Sequence, residues 1–334
     1  MVARIPTLDL FSGIGGFSYA LRDVCKTVAY CEIDRTCQSI LMSCMQDGRL
    51  DPAPIIDDIR TFDSSQVRPR PVFATAGFPC TDVSSANPFG VGVKGLRSGL
   101  VNHVFRILDE CESIKGVFLE NSPFINTRGV ELILDAFWQR GFEVRMMQLS
   151  ARDVGALHKR TRWWCLAIKG SCFKLKSSKQ LLPTAWSREP CRRLCKRTDS
   201  NYSECNNTNK AFGNAIVPIC AQAAYNCLVL SESFNSRATS PSLKLVISNG
   251  ETTFHRTSWP TPTAQKWHQY RTLSERSTRM LSNAIFYEEL TIKQLEGVSF
   301  KEKPILDKKF VINPSFIAWL MGYPVTWHGK LCCK

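Results

Sequence analysis

The chain has 334 residues, and its 43 Lys and Arg against 29 Asp and Glu leave a formal net charge of +14. This length predicts two domains, and a composition that is 44% hydrophobic and 22% charged excludes a disordered chain or a coiled coil. No apolar run approaches the roughly 20 residues of a membrane span and no secretory signal is visible, so we expect an intracellular protein, cytoplasmic or nuclear, with no membrane partner. The 15 cysteines are odd in number and irregularly spaced, which favours reduced thiols. The excess of positive charge predicts a polyanionic partner, nucleic acid before membrane.

Short apolar runs alternate with helical periodicity over the first 170 residues, and this pattern predicts an α/β fold with a doubly wound, Rossmann-like sheet. The predicted strands, in chain order, are Thr7–Phe11, Val28–Ile33, Val72–Ala76, Gly116–Glu120, Phe142–Gln148 and Trp163–Ile168. The predicted helices are Phe17–Val24, Arg35–Met45, Val101–Cys111, Val130–Arg140 and Ala215–Val229. Residues 169–210 lack periodicity and predict a basic loop, residues 231–312 are mostly polar, and Phe316–Trp327 is a compact apolar end.

Glycines follow the first predicted strand in the run from Asp9 to Phe17, DLFSGIGGF. Glycine there allows a tight turn and the close approach of a ligand to the backbone, although a purely structural turn looks the same and the spacing departs from the dinucleotide pattern G-x-G-x-x-G. Glu32 ends the second predicted strand, 19 residues after Gly13, where an acidic side chain reaches ribose hydroxyls. Asp57 and Asp58 end the next predicted α/β unit. They could supply a second acid for the same ligand, although paired acids in a loop are more often simply solvated.

Cys80 follows another predicted strand, in Gly77-Phe78-Pro79-Cys80. The carboxyl ends of strands are where open α/β sheets build their sites, but one cysteine among 15 is more often a buried structural thiol. Residues 81–99 then form a long Gly- and Ser-rich stretch with basic residues, which predicts a mobile lid that closes over a substrate.

Several motifs together resemble one family. The segments DLFSGIGG, YCEID and GFPC, and the strand end Leu119-Glu120-Asn121, occur in the order and relative spacing of the DNA (cytosine-5) methyltransferases. Residues 148–168 are similar to the later Gln-x-Arg-x-Arg motif of that family, with Arg160 and Arg162 at the arginine positions, and residues 213–218 are similar to its Gly-Asn-Ala motif. The resemblance implies a Rossmann-like methyltransferase domain with a smaller target-recognition domain.

The chain departs from the family in two residues and in motif order. His158 stands where the family usually has Gln, and Ser122 where it usually has Val. The Gly-Asn-Ala motif precedes the segment 312–327, whose equivalent normally comes before it. We therefore expect a rearranged layout in which the recognition region follows that motif.

The resemblance also implies roles for residues in catalysis. Cys80 is the nucleophile that adds to C6 of cytosine, and Glu120, protonated or sharing a proton, stabilises charge at N3. Arg162 reaches O2 of the base and braces Glu120, while Arg160 supports the closed loop or a phosphate. The residues implied to shape the substrate loop are Pro79, Ser84 and Asn121.

The implied cofactor is S-adenosylmethionine, released as S-adenosylhomocysteine. The residues implied to bind it are Phe11, Gly13, Gly15, Gly16, Glu32, Ile33, Asp58, Ile59 and Asn214. No metal is expected, because Cys191, Cys195 and Cys205 lack the Cys-x-x-Cys pair that would complete a zinc site.

The expected domains are a catalytic domain of residues 1–170 plus 211–229, a basic linker at 170–210, and a recognition region at 230–334 supported by 312–327. The implied partner is double-stranded DNA, whose target cytosine is flipped out of the duplex while basic runs contact phosphates. We also expect a monomer, with a cognate restriction endonuclease as a separate partner and either a cellular or a viral origin.

Three other functions remain open from the sequence. A branch of the same family methylates transfer RNA, although the Cys-Phe-Thr signature of that branch is not found here. An inactive DNA-binding relative is disfavoured by intact Cys80, Glu120 and Arg162. A nicotinamide oxidoreductase is disfavoured by the glycine spacing.

Overall fold

The computed structural model describes residues 3–79, 98–127, 129–170, 175–179, 182, 194–196, 199–230 and 310–329. These residues belong to two compact units. The first contains the described residues of Met1–Val154, Thr161–Leu182 and Ile216–Val246. The second contains those of Gly155–Arg160, Pro183–Ala215 and Ile247–Lys334.

Nine strands and seven α-helices form in the described residues, together with four short 3-10 helices. The strands are β1 (Ile5–Leu10), β2 (Cys25–Cys31), β3 (Ile55–Ile56), β4 (Phe73–Gly77), β5 (Gly116–Asn121), β6 (Phe142–Ser150), β7 (Thr161–Lys169), β8 (Leu194–Lys196) and β9 (Phe310–Ile312). The helices are α1 (Gly16–Ala20), α2 (Arg35–Gln46), α3 (Val101–Glu110), α4 (Val130–Trp138), α5 (Asp199–Asn214), α6 (Pro218–Leu230) and α7 (Pro314–Leu320).

The first unit is built on a seven-stranded sheet in the order β3-β2-β1-β4-β5-β7-β6. The strands from β3 to β5 run parallel, whereas β7 runs antiparallel to both β5 and β6. This mixed sheet confirms the predicted α/β, Rossmann-like fold. The chain moves outward from β1 to β2 and β3 and then returns to the other side of β1 with β4, so the topological switch point lies between β1 and β4.

Side chains that alternate along the strands build a core on each face of this sheet. One face joins strand residues such as Leu8 and Val117 to buried residues of α3 and α4. On the other face, Phe118 of β5 packs against Trp164 of β7 and Tyr225 of α6, with ring centroids 5.6 Å apart in both pairs. Burying each large apolar side chain contributes roughly 1.5–3 kcal/mol.

Two predicted helical regions differ from those observed. Helix α1 ends at Ala20, because Leu21 closes it and the chain turns directly into β2. Residues 199–210, predicted as part of a basic loop, belong instead to α5, which packs on β9 and α7 in the second unit. Asn and Ser are weak helix formers, so the buried side chains of α5, such as Phe212, stabilise a helix that propensity alone does not predict.

One stretch of the described residues, Ser203–Leu230, has the length and apolarity of a membrane span, contrary to the expectation that no such run exists. Its most apolar part is 61% buried within the protein. Core helices of soluble proteins can have the same length and apolar composition, so this stretch is only a weak indication of a membrane span.

Candidate functional site

The candidate site lies at the carboxyl ends of the parallel strands, next to the switch point. Residues that follow β1 and residues that end β4 meet here, since Leu10 pairs with Ala76. Gly77 of β4 pairs with Glu120 of β5 in the same register. Open α/β sheets bind ligands in the crevice at this position.

The turn between β1 and α1 has an unusual backbone. Gly13 and Gly15 adopt φ values of +54° and +83°, and Phe11 adopts φ +52°, a left-handed conformation that is uncommon for a bulky residue. The positive φ of Gly15 favours glycine, and a Cβ atom there would lie 2.5 Å from Leu50 Cδ1, so the Leu50 side chain would have to shift. Strain of this kind costs about 1–3 kcal/mol and clusters at ligand sites.

The side chain of Glu32, the residue after β2, contacts this turn. Its Oε2 accepts a 2.7 Å hydrogen bond from the Gly13 amide, and its Oε1 accepts one of 2.8 Å from the Asp34 amide. Gln38 of α2 donates to the Glu32 carbonyl at 2.6 Å and to Asp57 Oδ1 at 3.0 Å. Burial raises the pKa of Glu32 above its usual range, while the two amide bonds oppose this shift. The sequence did not single out Gln38, because its role depends on how α2 packs beside β2 and β3.

The other predicted cofactor residues near this turn differ in exposure. Ile33 is 64% exposed and offers an apolar surface beside Glu32, whereas Ile59 is only 5% exposed and packs in the core. Asp58 is bound by Arg60, whose Nε and Nη2 donate to both carboxylate oxygens. These hydrogen bonds lower the pKa of Asp58.

A second carboxyl group, that of Asp9 in β1, is completely buried beneath the turn. Ser18 of α1 donates to its Oδ2 at 2.7 Å, and Thr75 of β4 donates to its Oδ1 at 2.7 Å. Burial raises the pKa of Asp9 to about 7, against the effect of these hydrogen bonds. This network ties α1 to the sheet and was not predicted from the sequence.

Glu120 and Arg162 form an ion pair at the carboxyl end of β5. The Arg162 Nε lies 2.8 Å from Glu120 Oε1, with side chains 23% and 10% exposed respectively. Because β7 is antiparallel, its first residues lie beside the last residues of β5, where Asn121 pairs with Trp163. The structure therefore brings together two residues that are 42 positions apart in the sequence.

Asn121 holds the chain that leads to Cys80. Its Nδ2 donates to the Phe78 carbonyl at 3.2 Å, and its Oδ1 accepts from the Ser122 amide at 2.7 Å. Phe78 is buried and Pro79 is half-buried. Cys80 and Ser84 lie outside the described residues, as do residues 81–97 of the predicted lid, whereas its last residues belong to a short 3-10 helix at Ser98–Leu100.

An aromatic cluster joins the glycine turn to β5 and β7. Phe17, the second residue of α1, meets Phe118 edge to face at 5.5 Å and Trp164 at 6.2 Å. Phe118 and Trp164 stack at 5.6 Å. Phe17 was predicted only as the start of a helix, because its neighbours come from distant strands.

Three residues of the predicted motifs lie in the second unit. His158 is completely buried there, and Arg160 is 5% exposed and donates from Nη2 to the Ala215 carbonyl at 2.8 Å. Asn214 is exposed at the end of α5. The contact of Arg160 is with backbone, and its expected role in a closed loop or on a phosphate remains a prediction.

Metal-binding side chains do not cluster in the part of the chain that the structure describes, where no three His, Cys, Asp or Glu lie together. The free thiols of Cys25 and Cys31 are buried, and burial raises the pKa of each to about 12. Such thiols are protonated at neutral pH and are poor nucleophiles.

A family model described as C-5 cytosine-specific DNA methylase matches residues 5–328. The Type II methyltransferase M.CviJI of Paramecium bursaria Chlorella virus IL3A is 35% identical over 164 residues, which is 49% of this chain and 43% of that protein. The Type II methyltransferase M2.BsuMI of Bacillus subtilis (strain 168) is 27% identical over 171 residues, 49% of this chain and 42% of that protein. The matched region thus spans less than half the length of these curated relatives.

Two solved structures are also similar to part of this chain. A DNMT2 mutant of Spodoptera frugiperda aligns with a TM-score of 0.42 at 19% identity, covering 54% of this chain and 55% of that one. The methyltransferase EhMeth of Entamoeba histolytica aligns with a TM-score of 0.44 at 15% identity, covering 70% of this chain and 95% of that one.

Proposed function

Because the chain belongs to the C-5 cytosine-specific DNA methylase family, we propose that it transfers a methyl group from S-adenosylmethionine to C5 of cytosine in double-stranded DNA. In this proposal the target base is flipped out of the duplex, and Cys80 forms a covalent adduct with it. Cytosine C5 is a poor nucleophile, and addition of a thiolate at C6 makes it reactive.

The observation that carries the proposal is the Glu120–Arg162 ion pair beside the end of β4. Glu120 pairs in strand register with Gly77, which lies three residues before Cys80. Arg162 Nε holds Oε1 of that carboxylate at 2.8 Å. A carboxyl group and a guanidinium at one strand end suit the N3 and O2 atoms of a pyrimidine, and they supply charge where the transition state needs it.

The reaction divides into balanced steps. The Cys80 thiolate adds to C6, and the electrons of the C5–C6 double bond shift into the ring toward N3. Glu120 stabilises the charge that builds at N3. C5 would then take the methyl group as its bond to the cofactor's sulfur breaks, which would leave S-adenosylhomocysteine, and a base would remove the C5 proton. The double bond re-forms as the bond from sulfur to C6 breaks, which returns the thiolate.

The residues around the glycine turn fit the cofactor that the family uses. Carboxylates at Glu32 and Asp58 suit ribose hydroxyls and an exocyclic amine, and the exposed side chain of Ile33 suits the face of an adenine. When bound, S-adenosylmethionine supplies an electrophilic methyl group on a sulfonium. The strained turn at Phe11 and Gly13 lets the backbone approach such a ligand closely.

Double-stranded DNA is proposed as the substrate, with the recognition region at residues 230–311 reading the flanking bases. That region lies outside the described residues except at Leu230, Phe310 and Val311. The relatives named Type II methyltransferases support a further proposal, that a restriction endonuclease of the same specificity is a separate partner inside the cell. A monomer is the expected state of the protein.

The first experiment incubates the protein with S-adenosylmethionine, carrying a labelled methyl group, and duplex DNA. We expect label on cytosine C5 in DNA and much less in transfer RNA supplied as a competitor. Label found only in transfer RNA would replace the proposed substrate, and no label in either would contradict the proposed activity.

The covalent step has a separate test. DNA containing 5-fluorocytosine cannot lose a proton from C5, so it should trap a covalent complex that survives denaturing electrophoresis. Cys80→Ser should abolish both the complex and the methyl transfer. Cys227→Ser, at a half-buried cysteine on α6, is the matched control and should retain both. A Cys80→Ser variant with wild-type activity would exclude this nucleophile.

A further inference from the structure

Gly77, the last residue of β4, occupies a narrow gap between two side chains of the site. A Cβ atom built on Gly77 would lie 3.4 Å from Glu120 Oε2 and 3.6 Å from Phe17 Cε2. Both distances are ordinary contacts, so the gap accommodates a single methyl group and little more. Gly77 does not have a positive φ, so its backbone does not itself require glycine.

The Phe17 side of this gap is rigid. Phe17 is 4% exposed, and its ring is fixed edge to face against Phe118 and Trp164. Interiors packed in this way yield little to added atoms. The other side is the carboxylate of Glu120, which ends a longer and more flexible side chain. A side chain larger than methyl at position 77 would therefore displace Glu120.

Displacement of Glu120 would disturb the ion pair. Oε1 of its carboxylate lies 2.8 Å from Arg162 Nε, and Oε2 is the oxygen nearest Gly77. Atoms added at position 77 would press on Oε2. The carboxylate would then rotate or withdraw, and Oε1 would move away from Arg162 Nε. The strand would tolerate the change, because glycine within a strand is less favourable than most residues.

We propose that Gly77 is a positioning residue, whose missing side chain sets where the Glu120 carboxylate stands against Arg162 and against the target base. This inference rests on the proposed methyl transfer for its catalytic part, whereas its steric part is independent of any activity. It predicts that a side chain larger than methyl at position 77 lowers activity without lowering the stability of the fold in proportion.

The activity test compares Gly77→Ala and Gly77→Val with the wild-type protein. Since misplacement of a reacting group by about 1 Å can cost roughly 100-fold in rate, we expect kcat to fall about 100-fold for valine. Alanine, whose methyl group the gap accommodates, should keep kcat within about threefold of the wild-type value. The KM for S-adenosylmethionine should change less than about threefold, since the glycine turn and Glu32 are untouched. Gly77→Ala should unfold at the wild-type temperature or slightly above it.

The matched control is Val117→Ala on β5. Val117 is completely buried on the opposite core face, so its truncation destabilises the same strand without entering the gap. We expect this variant to lose thermal stability and to keep its kcat at temperatures where it is folded. Wild-type kcat in Gly77→Val would overturn the inference, and so would an equal loss of kcat in Gly77→Ala.

A double-mutant cycle tests, without any activity measurement, whether a side chain at position 77 presses on the Glu120 carboxylate. Gly77→Val should lower the melting temperature by at least about 3 °C more in the wild-type background than in Glu120→Ala, where the displaced carboxylate is gone. Additive shifts would overturn the inference. If the wild-type protein transfers no methyl group, the proposed function fails, and the cycle alone still decides whether Gly77 positions Glu120.

Discussion

Two acidic side chains on one face of the sheet differ in how they are held. Asp9 is buried and its pKa is raised, with the hydroxyls of Ser18 and Thr75 among its donors, whereas Glu120 faces the guanidinium of Arg162. The register places Asp9 beside Thr75, two residues before Gly77, so the Asp9 network lies one layer beneath the candidate site. Each carboxyl group leads to a separate prediction.

The buried carboxyl of Asp9 should make stability depend on pH. Its pKa is raised to about 7 in the folded protein, so between about pH 4 and pH 7 the unfolded chain ionises while the folded protein keeps the proton. Its contribution is therefore fully present below pH 4 and is lost as the pH rises to about 7. The loss amounts to at most about 4 kcal/mol.

Asp9→Asn should remove this dependence, because an amide does not ionise and still bonds to the Ser18 and Thr75 hydroxyls. Melting temperatures at pH 5 and pH 8 provide the measurement, and the drop between them should be smaller in the variant than in the wild-type protein. The raised pKa of Glu32 acts in the same direction in both proteins and cancels in this comparison. Equal drops in the two proteins would show that Asp9 does not titrate in this range.

Arg162→Lys should lower methyl transfer although it keeps the positive charge. Lysine places one ammonium group on a flexible stem and does not reproduce the planar Nε contact with Glu120 Oε1. We expect single-turnover rates to fall by about 10- to 100-fold. Arg140→Lys, in a surface ion pair with Asp109, is the matched control and should leave the rate unchanged. Equal rates in both variants would remove Arg162 from the proposed mechanism.

At the scale of elements, the direction of one strand assembles the site. Strands β1, β2, β4 and β5 bring their carboxyl ends to the same edge because they are parallel, and β7 brings its first residues there because it is antiparallel. The glycine turn between β1 and α1 is the second critical element, and Phe17 connects it to β5 and β7.

Gly15→Ala should destabilise this turn more than Gly48→Ala destabilises the end of α2. Both glycines have positive φ, +83° and +68°, so both substitutions incur backbone strain. Only at Gly15 does the added Cβ collide with Leu50, at 2.5 Å, whereas nothing lies within 4 Å of the Cβ at Gly48. We expect an additional loss of about 1–3 kcal/mol, measured by denaturant unfolding, together with weaker binding of S-adenosylmethionine. Equal losses would mean that Leu50 moves aside at little cost.

At the scale of the whole molecule, the positive charge is unevenly distributed along the chain. Residues 1–150 contain 15 Lys and Arg against 17 Asp and Glu, a net charge of −2, so the remaining residues carry +16. The sheet edge that forms the candidate site comes mostly from the first of these segments. The basic runs that suit phosphate contact, at residues 174–179, 188–197 and 301–309, all belong to the second.

DNA affinity should therefore fall steeply with salt. If six or more phosphates are contacted, raising the salt concentration from about 50 to 200 mM should weaken binding by about 1,000-fold or more. Fluorescence anisotropy with a labelled duplex measures this slope. Binding of S-adenosylmethionine at the less charged sheet edge serves as the internal control and should change far less. A DNA affinity that does not change with salt concentration would contradict phosphate contacts by the basic segments.

The sequence by itself determined the family, six of the seven strands and the helices between them from residue 1 to 170, and the placement of Glu32 and Glu120 at strand ends. These features follow from local periodicity and motif spacing, which neighbouring residues encode. The sequence did not predict the two-residue strand β3. The motif order and the domain limits stay predictions, and so do the roles of Cys80 and Ser84, which lie outside the described residues.

Only the tertiary structure decided the contacts that join distant segments. The antiparallel direction of β7 brings Arg162 to Glu120, and the β4–β5 register sets Gly77 against the same carboxylate. Burial of Phe212 and its neighbours stabilises α5 where propensity predicts a loop. These contacts depend on strand order, register and burial, which arise only when residues far apart in sequence pack together and which a local pattern therefore does not contain.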